Sequence, residues 1–522
     1  MTLPPLSRRS FTAAAFIGTA SLLGTRELRA AMAQAYPFTL GVASGDPRPD
    51  GVVLWTRLAP DPLASHGGMD PVAVPVRWEI SADESFRAPR SGTIVAEPAW
   101  GHSVHAEIEG LAPDRTYFYR FIAGGVASPV GRTRTAPAAD AMPGRLRIAF
   151  ASCQHYEAGH YAAYRHMVAD EPDLIIFLGD YIYEGKPGDR GVRRHQNAEP
   201  RDLAGYRARY ATYKGDPLLQ AAHHAAPWVM TWDDHEVEDN YGGDSNKFQH
   251  DPAAFLARRA AAYQAYFEHM PLRRAATPKG AAMRLYRTVD WGRLAQFQVI
   301  DDRQYRDLPP CQPADLIANR KPTVGLIRDC PERHRADRSL LGQAQERWLL
   351  DRLQDTRARW NLLSQQTLMK SQLRIPFDDA EQGPSVYNSD SWDGYTAARD
   401  RVLRRWRDAG TPNPIVLSGD IHSFVAGDHF DPDKHDRIIA SEFVGGSLTS
   451  GARDTMLKQN AANNPGFHFA ENQVRGYARM DLTPGRCDVA FRGLSEVRDP
   501  LSAASDIARF TVENGQAGMK LG

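Results

Sequence analysis

The chain has 522 residues, which is too long for one ordinary domain and predicts two folded units plus an export segment. Hydrophobic residues make up 42% of the chain and charged residues 24%, which excludes a disordered or fibrous protein. Basic and acidic side chains number 63 each, and this net charge of zero gives no general attraction to nucleic acid or to an anionic membrane surface.

The first 35 residues have the pattern of a twin-arginine export signal. Arg8 and Arg9 lie between serines, a mildly apolar stretch covers residues 12–24, and residues 33–35 (Ala-Gln-Ala) suit a signal peptidase. The apolar stretch is too short to span a hydrocarbon core of about 30 Å, and the sequence shows no other transmembrane anchor. An Arg pair beside an Ala-rich amphipathic helix is the competing interpretation. We expect export by the twin-arginine machinery and a periplasmic or secreted mature chain that begins near Tyr36.

Residues 36–143 have the sequence pattern of an all-β domain, with short strands separated by turns. Predicted strands cover residues 52–58, 76–80 and 116–121, and they are bounded by Gly, Pro and Asp. The last of these strands follows a Leu-Ala-Pro-Asp turn and carries alternating aromatic residues, as in the final third of an immunoglobulin or fibronectin III-like sandwich. No acid, base or metal-ligand constellation stands out in this region. We predict a non-catalytic β-sandwich, followed by a Pro- and Ala-rich linker over residues 135–143.

From residue 144 to residue 522 the pattern changes to strands that alternate with longer amphipathic helices. This alternation is typical of an α/β layered domain, which we predict to be the catalytic domain. The predicted strands cover residues 146–150, 174–178, 228–232, 294–300, 362–364 and 415–417, and the predicted helices cover residues 159–169 and 342–359.

Side chains able to bind metal follow four of these strands. Loops beyond the carboxyl ends of strands in an open α/β sheet converge on one crevice, so we expect these side chains to meet there. Alternate residues of an extended chain face the same side, so the last two residues of this set would share one site. In chain order the set is Cys153; Asp180 and Tyr183; Asp234 and His235; Asp420 and His422.

Each of these signals is weak alone. A Cys at a strand end is usually a small buried hydrophobe, a Gly-Asp pair commonly forms a turn, and an acidic run is often a solvated loop. Four such junctions in one α/β domain are strong evidence together. Hard oxygen ligands favour calcium or magnesium, whereas Cys, Tyr and His favour iron or a similar metal. Paired cations neutralise phosphoryl oxygens and lower the pKa of a bound water, which indicates phosphoryl chemistry.

Other catalytic patterns are absent or weak. The sequence has no G-x-x-x-x-G-K-[ST] loop, which disfavours nucleotide hydrolysis of the P-loop kind. It also has no convincing G-x-S-x-G, since Gly445-Gly446-Ser447 is better interpreted as a loop packed near the site. The cysteines form no C-x-x-C pair. Cys311 and Cys330 flank one loop, where a disulfide and two free thiols are equally good interpretations.

The order G-D-x-x-Y, D-D-H-E and G-D-x-H resembles the calcineurin-like metallophosphatases. Three departures single out a family within that group: Cys153 replaces an Asp, Asp233-Asp234 replace Gly-Asn, and Asp420 replaces a His. This set is similar to the D-type alkaline phosphatases (the PhoD family), as are the run at residues 302–306 and the twin-arginine leader. The resemblance implies a layered β-sandwich of the metallophosphoesterase type, flanked by helices and preceded by the immunoglobulin or fibronectin III-like domain.

The resemblance also implies roles for individual residues. His235 would contact the phosphate or the leaving oxygen, and Arg303 is a candidate phosphate contact, with a structural salt bridge as the alternative. Gln365 or Gln366 would take the place of a V-x-x-H motif that has no clear match here. The ligands of a second calcium are not placed. Cys153, Asp180, Tyr183 and His422 would hold Fe3+, and Asp180 would bridge to Ca2+ that is also held by Asp234 and Asp420.

These residues lead us to expect an alkaline phosphatase, which hydrolyses phosphate esters with the phosphate between iron and calcium. The motifs do not separate a phosphate monoester from a diester substrate. A phosphodiesterase or phospholipase D of the same family is the first alternative, and for a lipid it predicts a more open cleft with an apolar lining. A non-catalytic metal- or phosphate-binding protein is the second alternative, but every main motif position holds a residue able to coordinate a metal.

Overall fold

The computed structural model of the chain describes residues 35–245, 251–312, 325–374 and 386–522. Apart from residue 35, the predicted export signal lies outside these residues. No helix in the described ranges has the length and apolarity needed to cross a membrane.

The described residues form seven α-helices and 24 strands. The helices are α1 Ala162–Ala169, α2 Leu203–Lys214, α3 Pro217–Ala225, α4 Pro252–His269, α5 Gly342–Gln354, α6 Thr396–Ala409 and α7 Leu457–Ala462. The strands are β1 Val42–Arg48, β2 Gly51–Arg57, β3 Val74–Ser81, β4 Arg90–Ala96, β5 Ser103–Ile108, β6 Thr116–Ala123, β7 Val126–Ala127, β8 Gly131–Arg134, β9 Leu146–Ala151, β10 Leu174–Leu178, β11 Trp228–Thr231, β12 Arg287–Trp291, β13 Ala295–Val299, β14 Leu326–Arg328, β15 Trp360–Ser364, β16 Val386–Asn388, β17 Pro414–Ser418, β18 Phe424–Phe430, β19 Ile438–Gly445, β20 Phe467–Glu471, β21 Gly476–Leu482, β22 Arg486–Leu494, β23 Ala504–Glu513 and β24 Lys520–Leu521.

Two large sheets face each other across the main core. The first has ten strands in the order β24-β23-β22-β21-β9-β10-β11-β1-β2-β5, and the second has seven in the order β12-β13-β15-β17-β19-β18-β20. Phe150 of the first sheet and Leu417 and Phe443 of the second belong to the same buried cluster. Helices α1 to α4 cover the outer face of the ten-stranded sheet, and α5 and α6 cover that of the other. The predicted layered β-sandwich flanked by helices is confirmed.

Strand β10 shows why its sequence, LIIFL, is apolar at every position. It pairs in parallel with β9 along one edge and β11 along the other, and both of its faces are covered by apolar packing. Leu174, Ile176 and Leu178 point into the core between the sheets. Ile175 and Phe177 point to the opposite face, where they pack against the helices. The strand is therefore rigid, and it fixes the position of the residues that follow its carboxyl end.

The N-terminal region is all-β, as expected, but one of its sheets is continuous with the catalytic domain. Strand β1 pairs in parallel with β11, with Gly45 opposite Trp228, so β1, β2 and β5 extend the ten-stranded sheet. Strands β3, β4, β6, β7 and β8 form the second layer of the sandwich. The Tyr117 hydroxyl accepts a hydrogen bond of 2.9 Å from the Ala112 amide, which pins the turn before β6. The boundary at residue 143 stays a prediction.

Two predicted helices are shorter in the structure. The helix predicted over residues 159–169 begins at Ala162, and the one predicted over 342–359 ends at Gln354. The Thr356 hydroxyl bonds the side chain of Asn361 in β15, so the chain leaves the helix to enter that strand. The seven strands after His422 were not predicted. Cys311 and Cys330 form a disulfide, which decides between the two interpretations of that pair.

Candidate metal centre

The predicted metal-binding residues meet at one edge of the two sheets. They follow β9, β10 and β11 of the ten-stranded sheet and β17 of the seven-stranded sheet, as the carboxyl-end rule predicts. A cavity of about 210 Å3 opens there. Its lining includes Asp180, Asp234, His235, Asp420 and His422.

The first group consists of Cys153, Asp180 and His422, whose ligand atoms all lie within 4.8 Å of one another. The Tyr183 hydroxyl lies 2.7 Å from Oδ2 of Asp180 and 3.0 Å from Nε2 of His422, so the phenol belongs to this group. Nδ1 of His422 lies 2.7 Å from the Gly451 carbonyl, which orients the ring with Nε2 towards the group. Sulfur, phenol, imidazole and carboxylate are a donor set that suits a transition metal.

Two further groups are linked to the first, one through Asp180 and the next in turn through Asp234. One contains Asp180, Asp234 and His235, and the other contains Asp233, Asp234 and Asp420, with ligand atoms again within 4.8 Å. Asp180 therefore links the Cys-containing group to the carboxylates. Buried oxygens of Asp180, Asp233 and Asp234 have no hydrogen-bond partner. Because an unpaired buried carboxylate oxygen is costly, these orphaned atoms fit cation ligands.

The electrostatics of the centre also favour a cation. Burial raises the pKa of the Cys153 thiol, and the Asp180 carboxylate raises it further. Burial likewise raises the pKa of Asp420 well above its usual value, although Arg303 opposes the shift. Burial and Asp180 raise the pKa of Glu236 to about 8. Bound cations stabilise the ionised forms of such groups, so this cluster is suited to a positively charged occupant.

The backbone turns sharply at four of the ligand positions. Cys153, Asp180, Asp420 and His422 have φ of 60°, 57°, 62° and 54°, in the left-handed region that residues with a side chain rarely adopt. Each such residue costs on the order of 1–3 kcal/mol and persists only where the surrounding structure enforces it. Conformations of this kind cluster at functional sites.

The glycine that precedes each Asp in the G-D motifs is required by close packing. A Cβ at Gly179, whose φ is 102°, would lie 2.5 Å from Cβ of Asp233. A Cβ at Gly419 would lie 2.6 Å from Oγ of Ser152, next to Cys153. Glycine at both positions lets the strand ends approach each other closely enough for their ligands to share one centre.

His235 is held by Glu184, a residue for which the sequence predicts no role. Its Nδ1 lies 2.6 Å from Oε2 of Glu184, and the other Glu184 oxygen accepts the Asp239 amide at 2.8 Å. Burial alone would lower the pKa of His235, but Glu184 and Asp234 raise it well above its usual value. Nδ1 donates to Glu184, which leaves Nε2 for the cavity. The only signal for Glu184 in the sequence is its place directly after the G-D-x-x-Y motif.

Arg303 lies beneath the carboxylates instead of in the cavity lining. Its side chain is fully buried. Its guanidinium bonds Asp233, contacts Asp390 at 2.9 Å and reaches Asp420 at 3.4 Å. This geometry favours the structural salt bridge over the direct phosphate contact. Asp390, which sequence reasoning missed, also binds Arg306 at 2.6 Å.

Gln365 and Gln366 do not replace the missing histidine motif. Oε1 of Gln365 accepts the Trp392 indole N–H at 2.9 Å, and its Nε2 donates to Ser418 at 2.7 Å. Nε2 of Gln366 donates to the Thr231 hydroxyl at 2.6 Å. Both amides are buried and used within the fold, so neither is available as a ligand.

A separate cluster of His155, Glu157 and His195 lies behind Tyr183, with ligand atoms within 4.8 Å. The Tyr213 hydroxyl accepts the Tyr183 amide at 3.0 Å and the Tyr156 amide at 3.2 Å, and it lies 3.0 Å from Nε2 of His195. Because both lone pairs of the hydroxyl are used, its proton points to Nε2 and Nδ1 keeps the ring proton. His195 therefore offers no free lone pair, and we assign this cluster a structural role.

Comparisons with known proteins show the family of the chain. The model of the PhoD-like phosphatase family matches residues 148–491, and that of the PhoD-like phosphatase N-terminal domain matches residues 24–137. Alkaline phosphatase D of Bacillus subtilis (strain 168) is 45% identical over 502 residues, which cover 93% of this chain and 82% of that protein. A solved structure of PhoD superposes with a TM-score of 0.86 at 44% identity and covers 93% of this chain and 92% of that one. The chain therefore belongs to the PhoD-like phosphatase family and is a phosphoric ester hydrolase.

Proposed function

We propose that this chain is an exported alkaline phosphatase that hydrolyses phosphate esters with Fe3+ and Ca2+. Asp180 gives the main support, because it belongs both to the group with Cys153 and His422 and to the group with Asp234 and His235. A carboxylate shared in this way can link a transition metal to a harder cation.

The chemical type of each ligand atom indicates which of the two ions it would bind. The soft thiolate of Cys153 together with a phenolate and an imidazole suits ferric iron, whereas all-oxygen ligands suit calcium. Bound together, such ions neutralise phosphoryl oxygens and lower the pKa of a coordinated water. Cys153, Asp180, Tyr183 and His422 would hold the iron, and Asp180, Asp234 and Asp420 would hold the calcium, with the substrate phosphate between them.

His235 is the proposed proton donor to the leaving oxygen. Glu184 accepts from Nδ1 at 2.6 Å and fixes the ring, so Nε2 carries its proton on the cavity side. The ring also lies against Tyr183, with centroids 4.1 Å apart, which restricts its tilt. A histidine held in one orientation by a carboxylate is an effective general acid, and such groups contribute typically 10²–10⁴-fold to a rate.

The cavity favours small or polar esters over lipids. Among the described residues that line it, Ile421 and Leu457 are the only ones with a large apolar side chain. A phospholipase D would need an apolar surface for acyl chains. The polar lining of the cavity therefore supports a phosphatase acting on soluble esters.

Export is proposed from the N-terminal sequence alone. The Arg8-Arg9 pair and the small residues at 33–35 fit the twin-arginine route, which transports folded proteins. A metal centre that is filled in the cytoplasm would survive such transport. The mature enzyme would then work in the periplasm or outside the cell.

Turnover of two esters before and after metal removal tests the proposed function. We expect the purified protein to hydrolyse p-nitrophenyl phosphate or bis-p-nitrophenyl phosphate, to lose turnover after chelation, and to regain it when iron and calcium are restored together. The ratio of the two rates separates a monoesterase from a diesterase. A protein that binds both metals but hydrolyses neither ester would support the binding-protein alternative.

A further inference from the structure

Arg453 lines the same cavity as Asp234, His235 and Asp420, but it belongs to none of the ligand groups. It is solvent-exposed at the mouth of the cavity. Within the part of the chain that the structure describes, its guanidinium has no hydrogen-bond or ion-pair partner. Its partial desolvation at the cavity mouth would by itself lower its pKa, but Asp239 and Asp234 raise the pKa overall, so the group is a permanent cation. A cation without a partner at this position is available to an incoming anion.

The other arginines near the cavity already have partners. Arg303 and Arg306 are buried against Asp390, at 2.9 Å and 2.6 Å. Arg374, which also lines the cavity, lies 3.6 Å from Asp454 and donates to Gln372. Of the two arginines in the described lining, Arg453 is the one whose donors are free.

The loop that carries Arg453 is attached to the proposed iron ligands. The Ser450 hydroxyl donates to the Tyr183 hydroxyl at 2.7 Å, and the Gly451 carbonyl lies 2.7 Å from Nδ1 of His422. These two bonds fix the loop two to three residues before Arg453. The backbone just before Arg453 is therefore tied to the centre, so less conformational entropy is lost when the guanidinium binds an anion than if it lay on an untethered loop.

We propose that Arg453 binds the phosphoryl oxygens of a phosphate monoester and makes the enzyme favour monoesters over diesters. The inference rests on the proposed function and names the substrate class of the same centre. A monoester at alkaline pH carries two negative charges on three non-bridging oxygens, whereas a diester carries one charge on two. A guanidinium presents parallel N–H donors that match two phosphate oxygens, so its contribution is larger for the monoester.

The test compares R453A and R453K with the wild type as metal-loaded enzymes. The matched control is R87A, because Arg87 is an exposed arginine of the N-terminal region that pairs only loosely with Asp83, at 3.9 Å. We expect R453A to lower kcat/KM for p-nitrophenyl phosphate roughly 10- to 100-fold and to lower that for the diester less than about 3-fold. R453K should recover part of the loss, and R87A should match the wild type.

Two further readouts make the test independent of turnover. Calorimetry with inorganic phosphate should give a Kd that is roughly 10-fold or more higher for R453A than for the wild type. Iron and calcium contents should be unchanged, because Arg453 is not a ligand. Equal losses for the two esters, an unchanged phosphate Kd, or loss of metal from R453A would each overturn the inference. A wild type that binds phosphate through Arg453 but hydrolyses neither ester would overturn only the proposed function.

Discussion

The hydroxyl of Tyr183 lies 3.0 Å from Nε2 of His422, although 239 positions separate the two residues in the chain. Tyr183 follows β10 of the ten-stranded sheet, and His422 follows β17 of the seven-stranded sheet. The proposed iron centre therefore joins the two sheets at their shared edge. Because its residues come from both sheets, the centre can form only when the two sheets are correctly packed.

Replacing Tyr183 with Phe should remove the phenolate ligand and leave the packing of the ring against His235 intact. A phenolate bound to ferric iron absorbs visible light by charge transfer, so the wild type should be coloured. We expect Y183F to lose the visible band and at least about 10-fold in turnover. The control is Y263F, which removes a buried hydroxyl that bonds Tyr241. A band that persists in Y183F would exclude Tyr183 as the ligand.

Replacing Glu184 with Gln should impair His235 without emptying the metal centre. The amide removes the charge that fixes the protonated ring at 2.6 Å. We expect kcat to fall roughly 10- to 100-fold with little change in KM, and the acidic group in the kcat–pH profile to titrate at lower pH. E109Q, which changes an exposed glutamate at the end of β5, serves as the control. Unchanged kcat in E184Q would show that Glu184 does not position the acid.

Arg303 offers a test between its two interpretations. Its guanidinium compensates several buried carboxylates, so R303M should leave uncompensated charge and cost on the order of 3–5 kcal/mol. We expect a lower melting temperature and poor metal retention in R303M, and a smaller loss in R303K. Thermal unfolding with and without added metal measures both effects. A variant with wild-type stability and metal content but a raised KM would instead support direct contact with phosphate.

The disulfide between Cys311 and Cys330 should be visible by thiol counting. Unfolded without reductant, the protein should react at two of its four cysteines, and at all four after reduction. The bond closes a loop with a sequence separation of 19, which in the chain-entropy description contributes about 3 kcal/mol. C311S/C330S should melt at a lower temperature with its metal content unchanged. Four reactive thiols before reduction would contradict the bond.

Local patterns predicted the strand ends that carry the metal ligands. A continuous apolar run followed by Gly-Asp can be recognised without knowing which strands pair with it. Strand β18 was missed because it contains Asp428 and His429, which indicate a loop. In the structure Asp428 bonds Ser441 at 2.6 Å and His429 bonds Glu442 at 2.9 Å, both on the neighbouring strand. Only tertiary pairing makes such residues compatible with burial.

The partners of Arg303 and the pairing of the N-terminal strands with the catalytic sheet could also not be predicted from the sequence. A guanidinium suits both phosphate and carboxylate, and only its burial among carboxylates favours the second partner. Strand β1 is readable as an extended segment, but its partner β11 lies more than a hundred residues away. The local sequence of either strand does not predict that pairing.

Cys153 is the proposed ligand of an iron that the enzyme needs for turnover. The most direct measurement is elemental analysis with ester turnover on C153A and on C487A, since Cys153 and Cys487 are both free and buried. Cys487 belongs to the apolar core between the sheets and touches none of the ligand groups. We predict that C153A loses iron and turnover together while C487A keeps both. Iron retained in C153A at the wild-type level, or no iron in the wild type, would contradict the proposed centre.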